Sequence, residues 1–169
     1  MEWKNLEADL GLILPPSYKS IVTTYGNGRF TRFFGIVSPF YTPPGHWGFK
    51  EFVRLRLEGV RLAQAWYPDY AVSLPVYPDI GGLFPWGYTD NGGTMFWLTT
   101  GDSSLWPVIC LNNGYTADGD RFEVTIEDFI AQWLTNKISV PSLTPPDFFP
   151  LHCPVFVSQS SKRPSTRNP

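Results

Sequence analysis

Apolar side chains recur along this chain at two spacings, and the change from one to the other predicts an α+β protein. Trp3, Leu6 and Leu10 fall at i, i+3 and i+7, which predicts a short helix over residues 2–10, ended by Gly11. Tyr18, Ile21, Val22 and Tyr25 then recur at i, i+3, i+4 and i+7, behind Pro15-Pro16. Proline is preorganised for a first helical turn, and Gly26 suits the C-cap of this second helix. Arg29 to Val37 is aromatic and β-prone, with a strand expected near residues 29–34. Residues 38–48, rich in Pro and Gly, predict a loop.

Helical spacing returns from Trp47 to about Trp66. Phe49, Phe52, Val53, Val60 and Ala63 make one apolar stripe, and Leu55, Leu62 and Trp66 make a second beside it. So wide an apolar surface predicts a helix packed on more than one neighbour. Gly59 costs about 1 kcal/mol relative to Ala in a helix interior, and marks a place to bend or end. Pro68-Asp69 breaks the helix, and Tyr70 to Tyr77 suggests a short irregular strand.

Period 2 dominates from Gly81 to Leu111, the stretch around which the chain is organised. Two turn signals, Asp90-Asn91-Gly92-Gly93 and Thr100-Gly101-Asp102, divide it into three strands. Thr94, Phe96 and Leu98 oppose Met95 and Trp97; Trp106, Val108 and Cys110 oppose Pro107, Ile109 and Leu111. Both faces are apolar, so both need cover. Arg121 to Val124 alternates polar with apolar, as an edge strand does. Thr125, with Asp128 three residues on, caps a last helix whose stripe is Ile126, Phe129, Ile130, Trp133, Leu134 and Ile138. Together these predict one α+β domain over residues 1–140. Residues 141–157, interrupted by Pro but rich in Phe, are expected to lie extended against it. Residues 158–169 have the composition of a disordered tail.

Composition narrows the classes. The 169 residues suit a single domain with a sizeable core, and 17% aromatic with 17 Pro favours a loop-rich α+β or β domain over a helical bundle. All 15 acidic side chains lie in residues 1–157, with ten of the 13 basic ones. The folded part is mildly acidic, which argues against a nucleic-acid surface and allows a basic protein partner. The N-terminus lacks the basic and apolar regions of a signal peptide, and no run approaches the ~18 apolar residues of a membrane span. A cytoplasmic protein is expected.

Candidate chemistry is sparse. His46 lies in the Pro/Gly loop, and His152 adjoins Cys153 without a further ligand at metal-binding spacing. No metal or cofactor is expected. Cys110, inside a strand, suits a buried free thiol better than a nucleophile paired with either histidine. Asp90, Asp102, Asp118, Asp120 and Glu123 cluster in the turns and edge of the meander. Asp in turns commonly accepts from local backbone donors, whereas a glycosidase-type pair must oppose across a cleft. Asp118-Gly119-Asp120 lacks the twelve-residue frame of a calcium loop. Gly81-Gly82 and Gly92-Gly93 lack the Lys-Ser/Thr of a phosphate loop. Trp86, Tyr88, Trp97 and Trp106 suit a core, yet aromatics beside acidic turns also describe a protein-binding surface with a charged rim.

Three segments carry a resemblance. The first is Leu6, Leu10-Gly11, Leu14-Pro15-Pro16-Ser17-Tyr18-Lys19 and Tyr25-Gly26-Asn27-Gly28; the second is the hairpin from Leu83 to Leu98; the third is the closing helix, Thr125 to Leu134. In this order they resemble the SMI1/KNR4 family, also called the SUKH superfamily, over about residues 2–138. The chain departs from many relatives where Gly92-Gly93 is followed by Thr94 instead of an acidic residue, and residues 141–169 have no counterpart. The resemblance implies a mostly antiparallel sheet with helices packed chiefly on one side. It also implies a non-enzymatic role. Many bacterial members look like immunity proteins that bind a cognate toxin domain, often a nuclease, and occlude its active site; fungal relatives act as regulatory scaffolds. A hydrolase using the meander carboxylates is the remaining expectation. For a binding protein, the expected contact residues are Trp86, Tyr88, Asp90, Asn91, Asp102, Asp118 and Asp120.

Overall fold

The computed structural model describes residues 2–42, 45, 47–117, 119–144 and 155–158. Among these residues, four helices surround one sheet: α1 (Glu2–Leu10), α2 (Pro16–Tyr25), α3 (Phe49–Trp66) and α4 (Ile126–Leu134). Seven strands, β1 (Gly28–Phe30), β2 (Phe34–Ile36), β3 (Leu83–Thr89), β4 (Thr94–Leu98), β5 (Val108–Leu111), β6 (Asp120–Phe122) and β7 (Phe156–Ser158), pair antiparallel in the order β6-β5-β4-β3-β2-β1-β7. The α+β class and the antiparallel sheet expected from the sequence are present, and the meander β3–β4–β5 lies at its centre.

Register assigns the two faces. Phe30, Phe34, Ile36, Met95, Trp97, Val108, Cys110 and Phe122 share one face; Arg29, Gly35, Tyr88, Thr94, Phe96, Ile109 and Leu111 share the other. On the first face, Trp133 of α4 stacks on Phe34 at 4.8 Å, Phe129 meets Phe122 at 5.2 Å, and Tyr18 of α2 stands edge-on to Trp97 at 5.1 Å. The helix α1 packs on α2 through Trp3 and Tyr18. On the second face, Phe52 of α3 lies against Tyr88, and Tyr115 fills the space between α3 and Phe96. Each large side chain so buried contributes about 1.5–3 kcal/mol, so the two apolar faces account for most of what holds the layers together.

The local signals at the helix ends act as the sequence implies. Pro15 precedes α2 with Pro16 in its first turn, and the Gly26 amide, at φ 70°, returns to the Val22 carbonyl at 2.8 Å. Thr125 Oγ1 accepts from the Asp128 amide at 3.2 Å, satisfying one orphan donor of α4.

Three expectations are corrected. Residues 29–34 are not one strand but parts of a hairpin, because Thr31 and Arg32 take left-handed conformations (φ 55° and 60°) and turn the chain between β1 and β2. Tyr70 to Tyr77 forms no strand; its only β pairing is two isolated bridges, Ala71 to Thr116 and Val76 to Leu83. α3 runs unbroken from Phe49 to Trp66 and does not end at Gly59. The side chain missing there makes room for the Tyr115 ring. Of residues 141–157, the turn at 141–144 docks on the sheet and β7 pairs with β1; residues 145–154 and 159–169 lie outside the described residues, as do His46, Cys153, His152 and Asp118.

Candidate functional site

The meander residues expected to meet a partner are spread over three places. Trp86 is wholly buried. The register shifts between Pro85 and Gly87, and this bulge turns the Trp86 ring onto Trp97 and Phe129 beneath α4. It is a core residue and cannot anchor a partner while the fold is intact. Asp102 sits at the opposite end of the strands from Asp90. Its carboxylate accepts from the Ser104 amide and hydroxyl, each at 2.8 Å, capping a single 3-10 turn over Ser103–Leu105.

Tyr88, Asp90, Asn91 and Asp120 do gather at one end of the sheet, where they engage the chain itself. Tyr88 lies half-buried over Gly35, between Phe52 and the Arg29 guanidinium. Asp90 pairs with that same Arg29 at 2.6 Å. Asn91 Nδ2 donates to the Leu143 carbonyl at 2.8 Å, and Asp120 Oδ2 accepts from the Ser142 amide at 2.9 Å. Ser142 Oγ donates to the Cys110 carbonyl at 3.0 Å, while Leu143 is buried over Gly93. These polar groups fix the turn after α4 to the sheet.

A different surface carries free aromatic area. At the C-terminal end of α3, Leu62 is 42% exposed, Trp66 69%, Tyr67 61% and Tyr70 74%. Leu62 and Trp66 are one helical turn apart on the second apolar stripe, which faces solvent here and not a neighbouring element. The backbone beneath is firmly held. The Tyr67 amide closes α3 on the Ala63 carbonyl, and the Tyr70 and Ala71 amides both donate to the Tyr67 carbonyl, at 3.0 and 2.8 Å. Gln64 Nε2 reaches the carbonyls of Val72 and Leu74 at 2.8 and 2.9 Å. The Ala117 amide donates to the Tyr70 carbonyl at 2.8 Å, which ties this turn to the meander. Asp69 is exposed within it.

Single exposed apolar residues are ordinary, whereas several large ones gathered on a fixed backbone mark an interaction surface. Tyr and Trp bury much area for little side-chain entropy, and preorganised backbone lowers the cost of binding. The sequence contained the signal, in the second stripe of α3 and in Tyr67 and Tyr70. Periodicity shows that a stripe is apolar; it does not show whether anything covers it.

Three grooves bordered by described residues hold at most one carboxylate each. A groove of about 490 Å³ beside the α3 end is lined by Arg61, Gln64, Val72, Leu74 and Asp79 among others. Two smaller ones, of about 400 and 380 Å³, hold one carboxylate, Glu58, and none. The Ser104 amide holds the Asp102 carboxyl below its ordinary range, and the Arg54 guanidinium does the same for Glu51. Both are therefore ionised at neutral pH, the wrong state for a proton donor. Burial, then the charge of Asp120, pushes the Cys110 thiol up, away from nucleophilic thiolate. Among the described residues, no three His, Cys, Asp or Glu side chains come together as metal ligands. No described helix is long and apolar enough to cross a membrane.

Comparison with protein-family models, curated proteins and solved structures gives no match. The arrangement at the end of α3 can bind a protein surface: rings to bury, an acidic side chain among them, and a backbone that need not reorganise.

Proposed function

We propose that this chain is a non-enzymatic binding protein that neutralises a cognate toxin domain in the cytoplasm by covering the toxin's active site. The observation that carries the reading is the aromatic cluster Trp66, Tyr67 and Tyr70, exposed on a hydrogen-bonded turn. The three rings act as anchors, desolvating against the partner, and Leu62 extends the apolar centre. Asp69, exposed in the same turn, supplies negative charge beside the rings, complementary to a basic cleft such as that of a nuclease. The order of the Leu-Pro-Pro-Ser-Tyr-Lys helix start, the Gly-rich hairpin and the closing helix supports an immunity-type role by its resemblance to the SUKH superfamily. Occlusion needs neither metal nor cofactor.

Growth rescue tests this reading. Cells expressing the proposed cognate toxin domain are expected to grow when the chain is co-expressed, and to stop growing with a Trp66→Ala/Tyr70→Ala chain of equal abundance. Failure of the unaltered chain to rescue, with no complex on co-purification, overturns the proposal and favours a scaffold with a housekeeping partner.

A further inference from the structure

The last described strand is an added strand. β7 pairs antiparallel with the outer edge of β1, with Phe156 opposite Phe30, Val157 opposite Arg29 and Ser158 opposite Gly28. The Thr31 amide extends this pairing to the Val155 carbonyl at 2.8 Å. The Phe156 ring packs half-buried against the core, whereas Val155 and Val157 stay exposed. It lies 4.8 Å from the Phe30 ring and 5.0 Å from Tyr25, above a floor made by Gly28. A Cβ on Gly28 would stand 2.2 Å from Phe156 Cζ, so the slot exists because residue 28 has no side chain. Backbone pairing supplies general affinity and one side-chain slot supplies selectivity, the division of labour in strand addition.

We infer that the outer edge of β1 is a peptide-binding site for an extended segment bearing an aromatic residue opposite Phe30, and that residues 155–158 close it in cis. The partner is a protein with such a segment. An unpaired β1 edge would offer open amides and carbonyls to any strand, and the tail covers them. The cover is slight: three paired residues and one ring. Its hold comes from tethering, because a short linker gives a cis segment an effective concentration on the order of mM. A partner segment with better side-chain contacts or high local concentration displaces it. The site is separate from the end of α3 and does not rest on the proposed function.

A labelled peptide, Pro-Val-Phe-Val-Ser-Gln (the sequence of residues 154–159), tests the inference on the full-length chain. The Phe156→Ala chain should bind it at least tenfold more tightly than the unaltered chain does. It should not bind the same peptide with Ala for Phe. Adding Gly28→Ala to Phe156→Ala should abolish binding, since the new Cβ fills the slot. Equal binding by the unaltered and Phe156→Ala chains, or equal binding of the Phe and Ala peptides, overturns the inference. Should Phe156→Ala not fold, the tail resonances of the unaltered chain serve instead. Millimolar Phe peptide should displace the tail and move the chain's own Phe156 and Val157 resonances to unpaired values, and the Ala peptide should not; no difference overturns the site. A dimer of the unaltered chain that Phe156→Ala abolishes would place a second copy's tail in the slot and overturn closure in cis.

Discussion

Gly59 and Tyr115 share one volume: a Cβ at residue 59 would lie 2.8 Å from Tyr115 Cε2. The contact is between the middle of α3 and a buried ring that is itself backed by Phe96. Helix propensity alone predicts that Gly59→Ala stabilises by about 1 kcal/mol. Packing opposes it, because Tyr115 has little room to retreat and overpacking costs about 1–3 kcal/mol. Gly59→Ala is expected to lower the stability measured by urea unfolding by about 1 kcal/mol. In a Tyr115→Ala background the same change should become stabilising, as propensity then acts without the clash.

Tyr18 joins α2 to the sheet twice, donating from its hydroxyl to the Val37 carbonyl at 2.5 Å and meeting Trp97 edge-on. Burial raises its phenol well above the ordinary tyrosine range, so it stays a donor at every pH at which the fold survives. Tyr18→Phe keeps the ring and leaves Val37 without this donor. The expected loss is about 1–3 kcal/mol, the cost of an unsatisfied buried acceptor. Chemical unfolding at neutral pH measures it.

Cys110 is fully buried, and its thiol is pushed up by burial and by Asp120. In a Cys153→Ser chain, a thiol reagent should therefore label almost nothing until denaturant is added. The sign of the linkage follows. Below the thiol's unfolded pKa both states are neutral and folding is unaffected; above it the unfolded thiol ionises and the folded one does not. Stability therefore falls as pH rises beyond about 8.5. Unfolding midpoints of the Cys153→Ser and Cys153→Ser/Cys110→Ala chains, compared from pH 7 to 10, should converge as pH rises.

Much of the fold was legible because long apolar stripes and Gly or Pro punctuation agree locally in α2, α4 and β3–β4. The hairpin β1–β2 was not, since its turn uses Thr31 and Arg32 in left-handed conformations with no Gly or Asn to announce them. Trp86 suits both a core and a contact surface in the sequence, and the Pro85/Gly87 bulge, which has no local signal, turns it inward. Asp90, Asn91 and Asp120 were read as partner groups, and their bonds run to Arg29 and to the turn after α4. Those contacts join distant segments and leave no local pattern. The exposed rings of α3 were visible as residues but not as a surface, because exposure depends on what the rest of the chain leaves uncovered.

The affinity of the purified chain for the proposed toxin partner, measured by titration calorimetry for single substitutions at two surfaces, tests the central claim most directly. Trp66→Ala and Tyr70→Ala should each weaken binding by about thirtyfold, the loss of about 2 kcal/mol typical of an aromatic anchor, without moving the unfolding midpoint. Asp90→Ala, whose partner is Arg29, should leave affinity unchanged. Unchanged affinity in Trp66→Ala and Tyr70→Ala, with loss in Asp90→Ala, would contradict the account and return the binding surface to the β3–β4 turn.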